Sequence, residues 1–218
     1  MMVDESSRSR IAALEADNAR LRRLLDQQDA PGELRHRLRG TVALLRMIIR
    51  KSSESRSDLD SYMGLLEDRL DAIARVQSIA DEQGAIELQK LLADELLHYR
   101  PLEGVRVRLA GPELALQPRM GQVFALAVHE LTVNAIEHGA LGSDTGRVDI
   151  KWRVSAAGTE SKLIFVWNEN DTATVGKPSR QGFGTEVLTR TLVYELRATT
   201  NLEFEPDGLR CTIEFPLP

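Results

Sequence analysis

The stretch Ala125–Leu141, ALAVHELTVNAIEHGAL, constrains the fold of this chain more than any other. Leu126, Val128, Leu131, Val133, Ile136 and Ala140 recur at helical intervals, which predicts a long helix with one apolar face. Glu130 and Asn134 stand one turn apart and share a face. A carboxylate and an amide at that spacing suit a helix that packs with one side and holds a metal-bound ligand with the other. The same segment also fits an ordinary amphipathic helix with a solvated polar face, and the rest of the chain has to decide.

With 218 residues there is room for one medium domain and a smaller one, and 42% hydrophobic residues is enough for a core. A net charge of −5 argues against non-specific nucleic-acid binding, which needs a basic surplus. The single Cys211 excludes an internal disulfide and fits a reducing compartment. No apolar run is long enough to cross a bilayer; the nearest, Leu44–Ile49, contains Arg46. The start, MMVDESSRSR, lacks the apolar centre of a signal peptide. The expectation is a soluble, cytoplasmic protein with no membrane span and no nucleic-acid partner.

Residues 8–28 carry a heptad of Ile11, Leu14, Asn18, Leu21 and Leu25. Asn18 at an a position favours a parallel two-stranded pairing, and a helix packed on its own domain is the alternative. Ala30-Pro31-Gly32 breaks the helix. A second helix is expected over 33–52, with Leu34, Leu38, Thr41, Leu45 and Ile48 as its stripe. After a Ser-rich turn a third is expected over 58–81, with Leu59, Met63, Leu66, Leu70 and Ile73. A single hairpin leaves such stripes half exposed, whereas two hairpins from two chains bury them in a four-helix bundle. The predicted layout is a short coiled-coil helix (1–30), a helical hairpin (31–83) and a second domain (84–218), with a homodimer formed through residues 8–81.

His36 falls about 200° around its helix from Leu34, at 100° per residue, on the side opposite the stripe. An exposed neutral imidazole is a competent nucleophile. The guanidinium groups of Arg35, Arg37 and Arg39 would attract a phosphoryl oxygen. Glu33 either orients the ring or is merely solvated, and a surface histidine without a role is the plain alternative for His36 itself.

Beyond Gly84 a helix is expected over 86–98, a strand over 105–109 and a short strand at 114–116. Strands over 147–154 and 162–167 read as an antiparallel pair, and a polar loop fills 168–181. A helix over 185–196 and two strands around Pro206-Asp207-Gly208 complete the chain. The class is α+β, with a mixed or antiparallel sheet carrying helices on one face. Gln181-Gly182-Phe183-Gly184-Thr185 leads from the loop into a helix. Its glycines allow close backbone approach, its free amides suit phosphate, and Thr185 is the expected N-cap. Asn134 can offer an amide oxygen to Mg²⁺, which keeps water and phosphate as its other ligands. Glu169 can accept from an exocyclic amine such as that of adenine.

Together these residues resemble a known family. His129-Glu130-Leu131-x-x-Asn134-Ala135, followed by Gly139-Ala140-Leu141, looks like the N box of the HWE family of sensor histidine kinases. Trp167-x-Glu169 is similar to the second hallmark, Gly182-Phe183-Gly184-Thr185 to a glycine box, and His36-Arg37-x-Arg39 to the phosphoacceptor box. Smaller echoes are Gly111-Pro112, Pro206-x-Gly208-Leu209 and the final Pro216-Leu217, so the resemblance spans about 33–218. It implies a dimerisation and phosphotransfer hairpin followed by a Bergerat-type ATP-binding α/β sandwich. It further implies that His36 is phosphorylated beside Arg37, and that Asn134 holds Mg²⁺ with Glu130 beside it. Glu169 would take the adenine place, with the hallmark residues His129 and Trp167 at the site. Gly182, Phe183, Gly184 and Thr185 would line the phosphate end. The reaction would be transfer of the ATP γ-phosphoryl to imidazole nitrogen and then to an Asp of a response-regulator receiver domain. Input would come from an upstream sensor protein or through the coiled coil.

The chain departs from the pattern at Gly40, where the family usually has Asn. It also carries Glu137-His138 in place of Lys-Tyr and Asp171-Thr172 in place of Gly-Gly. A reversed charge beside a polyphosphate weakens binding by about 1 kcal/mol or more, unless Lys177 or Arg180 offsets it. Three readings follow: an ATP-dependent histidine kinase; a histidine phosphotransferase or response-regulator phosphatase with a degenerate nucleotide site; and a non-enzymatic dimeric interaction module. A water-using ATPase with Glu130 as base stands beside the last. His98 and His138 give no transition-metal spacing.

Overall fold

The structure, a computed structural model, describes residues 42, 44, 45, 48, 49, 59–99, 106–157, 160–170, 182–205 and 208–218. It divides into two units, 1–47 and 48–218. In the first, Val42, Leu44 and Leu45 are helical, in keeping with the helix expected over 33–52. The heptad, His36, Arg37 and the loop 171–181 lie outside the described residues, and so does most of the hairpin's first helix.

The second unit begins with α1 (Leu59–Gln83), which ends at Gly84. Gly84 donates its N–H to Ala80 O at 2.8 Å and has φ +73°, the left-handed cap that glycine tolerates best. The inner side of α1 is Arg69, Ala72, Ile73, Val76 and Ala80. Among the described side chains of the expected stripe only Ile73 is buried there, and Met63 is 42% exposed. Large apolar residues mark a stripe to the eye, whereas close helix packing favours the small residues at 72 and 80.

Then come β1 (Ile86–Glu87), α2 (Leu88–Tyr99), β2 (Val107–Ala110), β3 (Ala115–Leu116) and α3 (Pro118–Glu137). The pair β1/β3 is an antiparallel ladder of two rungs, Ile86↔Leu116 and Glu87↔Ala115. After a 3₁₀ turn (Ala140–Gly142) follow β4 (Arg147–Ala157), β5 (Glu160–Asn170) and α4 (Phe183–Glu186). A π turn (Val187–Thr191), α5 (Leu192–Leu196), β6 (Thr199–Glu205) and β7 (Gly208–Leu217) close the chain.

The main sheet has the order β2-β4-β5-β7-β6. The pair β2/β4 is parallel and the other pairs antiparallel, so the sheet is mixed. Alternation fixes its register: Ile150, Trp167 and Cys211 stand side by side on the buried face. A slip of one residue would turn that row toward solvent. The opposite face carries Asp149, Lys151, Asn168 and Arg210 and is not buried.

α3 lies against the buried face, with Phe124 packed edge-on to Phe165 at 5.0 Å and tilted against Phe215 at 5.5 Å. It starts earlier than the 125 expected, because Pro118 suits a first helical turn. It is also not half wet: every residue from Gly121 to Thr132 is buried. The run Val123–Val128 is apolar on all sides, so this helix is held between the sheet and the α1/α2 layer. Its polar residues are therefore interior residues that need partners.

Candidate functional site

Glu130 is 4% exposed, and both its oxygens face Arg69, itself 5% exposed. Arg69 Nε donates to Oε1 at 2.7 Å and Nη2 to Oε2 at 3.2 Å, a forked charge-assisted pair. The Arg69 guanidinium also lies 3.7 Å from the centre of the Phe183 ring, which is buried. One turn along α3, Asn134 is half buried. Gly184 faces this turn: a methyl group there would come within 3.0 Å of Asn134 Nδ2 and 3.1 Å of Glu130 Oε2. The glycine box thus lies on the Glu130/Asn134 turn because it has no side chain at position 184. Gly182, exposed, is the cap of α4, so Thr185 sits inside the first turn and not at the cap as expected. Burial of Phe183 beneath Arg69 draws two further residues into the helix.

Glu169 occupies a second buried position, 3% exposed, at the end of β5. Its Oε2 accepts from Ala140 N at 2.8 Å and its Oε1 from Trp167 Nε1 at 3.0 Å. Burial pushes its carboxyl above the ordinary value, and these two donors offset only part of that. Each oxygen keeps a lone pair for another donor. Gly139 makes room for it: a methyl group there would meet Glu169 Oε2 at 2.1 Å. Arg106 fixes the same turn from outside, donating to Gly146 O at 3.0 Å, to Ala140 O at 3.1 Å, to Leu141 O at 3.2 Å and to Ser143 O.

His129 is 2% exposed and turned away from Asn134, its Nδ1 sharing a proton with Glu95 Oε1 of α2 at 2.9 Å. Glu95 Oε2 in turn accepts from Arg75 Nη2 of α1 at 2.6 Å. Burial raises the Glu95 carboxyl, but His129 and Arg75 together hold it below the ordinary value. Trp167 is fully buried and touches the site through its bond to Glu169.

Residues 33–113 match the HWE histidine kinase family. The chain is 28% identical over 187 residues to a blue-light-activated histidine kinase of Brucella anthropi, covering 85% of this chain and 38% of that one. The corresponding protein of Brucella abortus is 27% identical with the same coverage. The chain therefore spans well under half the length of these curated relatives. In fold it is similar to the histidine kinase domain of an Erythrobacter litoralis blue-light activated histidine kinase, at a TM-score of 0.55 and 20% identity, over 82% of this chain and 94% of that one. The mixed sheet backed by helices is thus similar in fold to that histidine kinase domain.

The structure brings Glu130, Asn134, Phe183 and Gly184 of the expected site together, and places Glu169 and Trp167 around the turn that follows α3. As a fit for Mg²⁺, Asn134 offers one amide oxygen and the glycine box room for phosphate. Glu130 accepts from Arg69 at both oxygens, so a cation there would compete with the guanidinium. Among the described residues no three His, Cys, Asp or Glu side chains form a cation cage. A magnesium ion here would be held mainly by phosphate and water, as Mg²⁺ prefers. A concavity of about 600 Å³ on the open sheet face, lined by Lys151, Arg153, Ile164, Val166 and Arg210, shares no residue with this cluster.

Arg69, Arg75, Glu95, Arg106 and Gly139 are the site residues that sequence reading did not assign. Gly139 stood inside a recognised motif, and its neighbour Glu169 supplies the reason. The two arginines of α1 gave no signal, since Glu67-Asp68-Arg69 and Asp71 read as a solvated helix surface. Among the described residues no helix is long and apolar enough to cross a membrane.

Proposed function

We propose that this chain is the kinase portion of a two-component system, which phosphorylates its own His36 from ATP and passes the phosphoryl group to an Asp of a response-regulator receiver domain. The observation that carries this reading is the convergence of Glu130, Asn134 and Gly184 on one turn at the mouth of a glycine-box helix, in a chain whose residues 33–113 match the HWE histidine kinase model. Asn134 would hold Mg²⁺, with Glu130 beside it once Arg69 lets go, and the ion would supply charge neutralisation at the phosphoryl oxygens. The backbone of Gly182–Thr185 cradles phosphate, and Glu169 accepts from the adenine amine with its remaining lone pairs. His129 and Trp167 contribute from behind, by holding α3 and Glu169 in place. Glu130, once freed from Arg69, orients the imidazole of His36 or takes its proton. Arg37 steadies the phosphoryl oxygens at His36. Residues 8–81 form the homodimer, an upstream sensor protein supplies the input, and the setting is cytoplasmic.

The test is incubation with Mg²⁺ and γ-labelled ATP. Acid-labile label is expected on the chain, lost in His36→Ala and reduced at least tenfold in Asn134→Ala. A folded protein that binds Mg²⁺–ATP and takes up no label would overturn the kinase reading. A relay role, in which His36 exchanges phosphate with a receiver domain without ATP, is favoured by Glu137. This acid closes α3 and is exposed, 3.6 Å from His138, a negative charge where the resembled pattern has Lys. Nucleotide titration separates the two, because a relay leaves ATP unbound.

A further inference from the structure

We propose that Arg69 is a latch by which α1 holds the nucleotide site in a restrained state, and that the site becomes competent when this arginine leaves Glu130. The proposal rests on the nucleotide reading above and concerns the regulation of that same site. Three elements meet at one guanidinium: α1 provides it, α3 provides the Glu130 carboxylate at 2.7 and 3.2 Å, and α4 provides the Phe183 ring at 3.7 Å. With both oxygens accepting from Arg69, Glu130 meets a cation or a proton only in competition with the guanidinium. With Phe183 stacked on the same group, the first turn of the glycine-box helix is pinned as well.

Nothing about stability requires such a contact. A buried ion pair offsets its own desolvation only when fully formed, and an apolar pair of the same size packs at least as well. Its use lies in having two arrangements. α1 holds α3 a second time, through Arg75, Glu95 and His129, the residue next to Glu130. Two consecutive side chains of α3 are therefore tied to arginines six positions apart on α1. A rotation or shift of α1 changes both ties together, and incoming Mg²⁺–nucleotide competes with the guanidinium for the same carboxylate.

The experiment uses the full chain, Mg²⁺ and a non-hydrolysable ATP analogue. Arg69→Met leaves Glu130 without its cation, so affinity for the Mg²⁺-bound analogue is expected to rise by about 5- to 150-fold, the span of ordinary coupling energies. Arg69→Lys keeps a buried positive charge, and with it the fold, but loses the fork and the ring stacking. It should bind more tightly than the natural chain by a smaller factor. Hydrogen exchange gives an independent readout: binding of the analogue to the natural chain should speed exchange in α1 around residue 69. Unchanged or weaker binding in a folded Arg69→Lys chain overturns the latch, weaker binding meaning that the arginine anchors phosphate instead. Unaltered exchange in α1 also overturns it. Tight binding by the natural chain with no gain in either variant removes the latch and leaves the nucleotide site standing. Absence of binding in all three chains removes both.

Discussion

Glu169 is a buried carboxylate, and its neighbours leave it room and two donors. Gly139 leaves the space for Oε2, so Gly139→Ala forces a methyl group to within 2.1 Å of it and 2.9 Å of the Ala135 Cα. The expected loss is about 2 kcal/mol of stability, as for other overpacked positions, measured by urea unfolding. The Cys211 thiol is pushed up to about 12 by burial and then by the charge of Glu169. It should resist alkylation at pH 8 in the folded chain and react within minutes once the chain is unfolded. Glu95 has the opposite shift. Because its carboxyl is held below the ordinary value by His129 and Arg75, its contribution is complete above the unfolded-chain value and disappears as pH falls through the lower folded one. Denaturation midpoints should drop in that acid window, and Glu95→Gln should flatten the drop. The hallmark side chains were legible in the sequence because they fall in an ordered set of motifs. Their partners were not, because Arg69 and Arg75 sit among acids on a helix whose polar residues look solvated until α3 is placed against them.

At the scale of elements, the strands were legible and the helices only partly so. Alternation along β4, β5 and β7 marks one buried face, and both hairpins appear where turn residues separate such runs. The second half of α3 was visible by its periodicity, but its first half, apolar on every side, shows no period. The glycine-box helix also carries a π turn that no pattern announces, with Val187, Leu188, Leu192 and Leu196 buried along it. It ends at Arg197, whose φ of 53° is left-handed in a residue with a side chain. Arg197→Gly should stabilise the chain by up to about 1 kcal/mol, read as a higher melting temperature. The turn after α3 is held by two side chains from elsewhere, Glu169 of β5 and Arg106 just before β2. Arg106→Ala should speed hydrogen exchange over 140–146 several-fold while leaving the sheet protected.

For the whole molecule, the second unit carries a buried core from α1 through β7. Sedimentation of the full chain is expected to give a dimer at micromolar concentration, and deletion of residues 1–58 a monomer. A monomeric full chain would remove the bundle expected over 8–81. The α1 helix enters this body as its first element and leaves at Gly84, with φ +73°, directly into the two-rung ladder of β1 and β3. Two residues, Gly84 and Ala85, thus carry the chain from α1 round to the ladder that precedes α3. A β-branched residue at position 84 would be strained at that φ whatever the space around it, so this corner is one that only glycine turns without penalty.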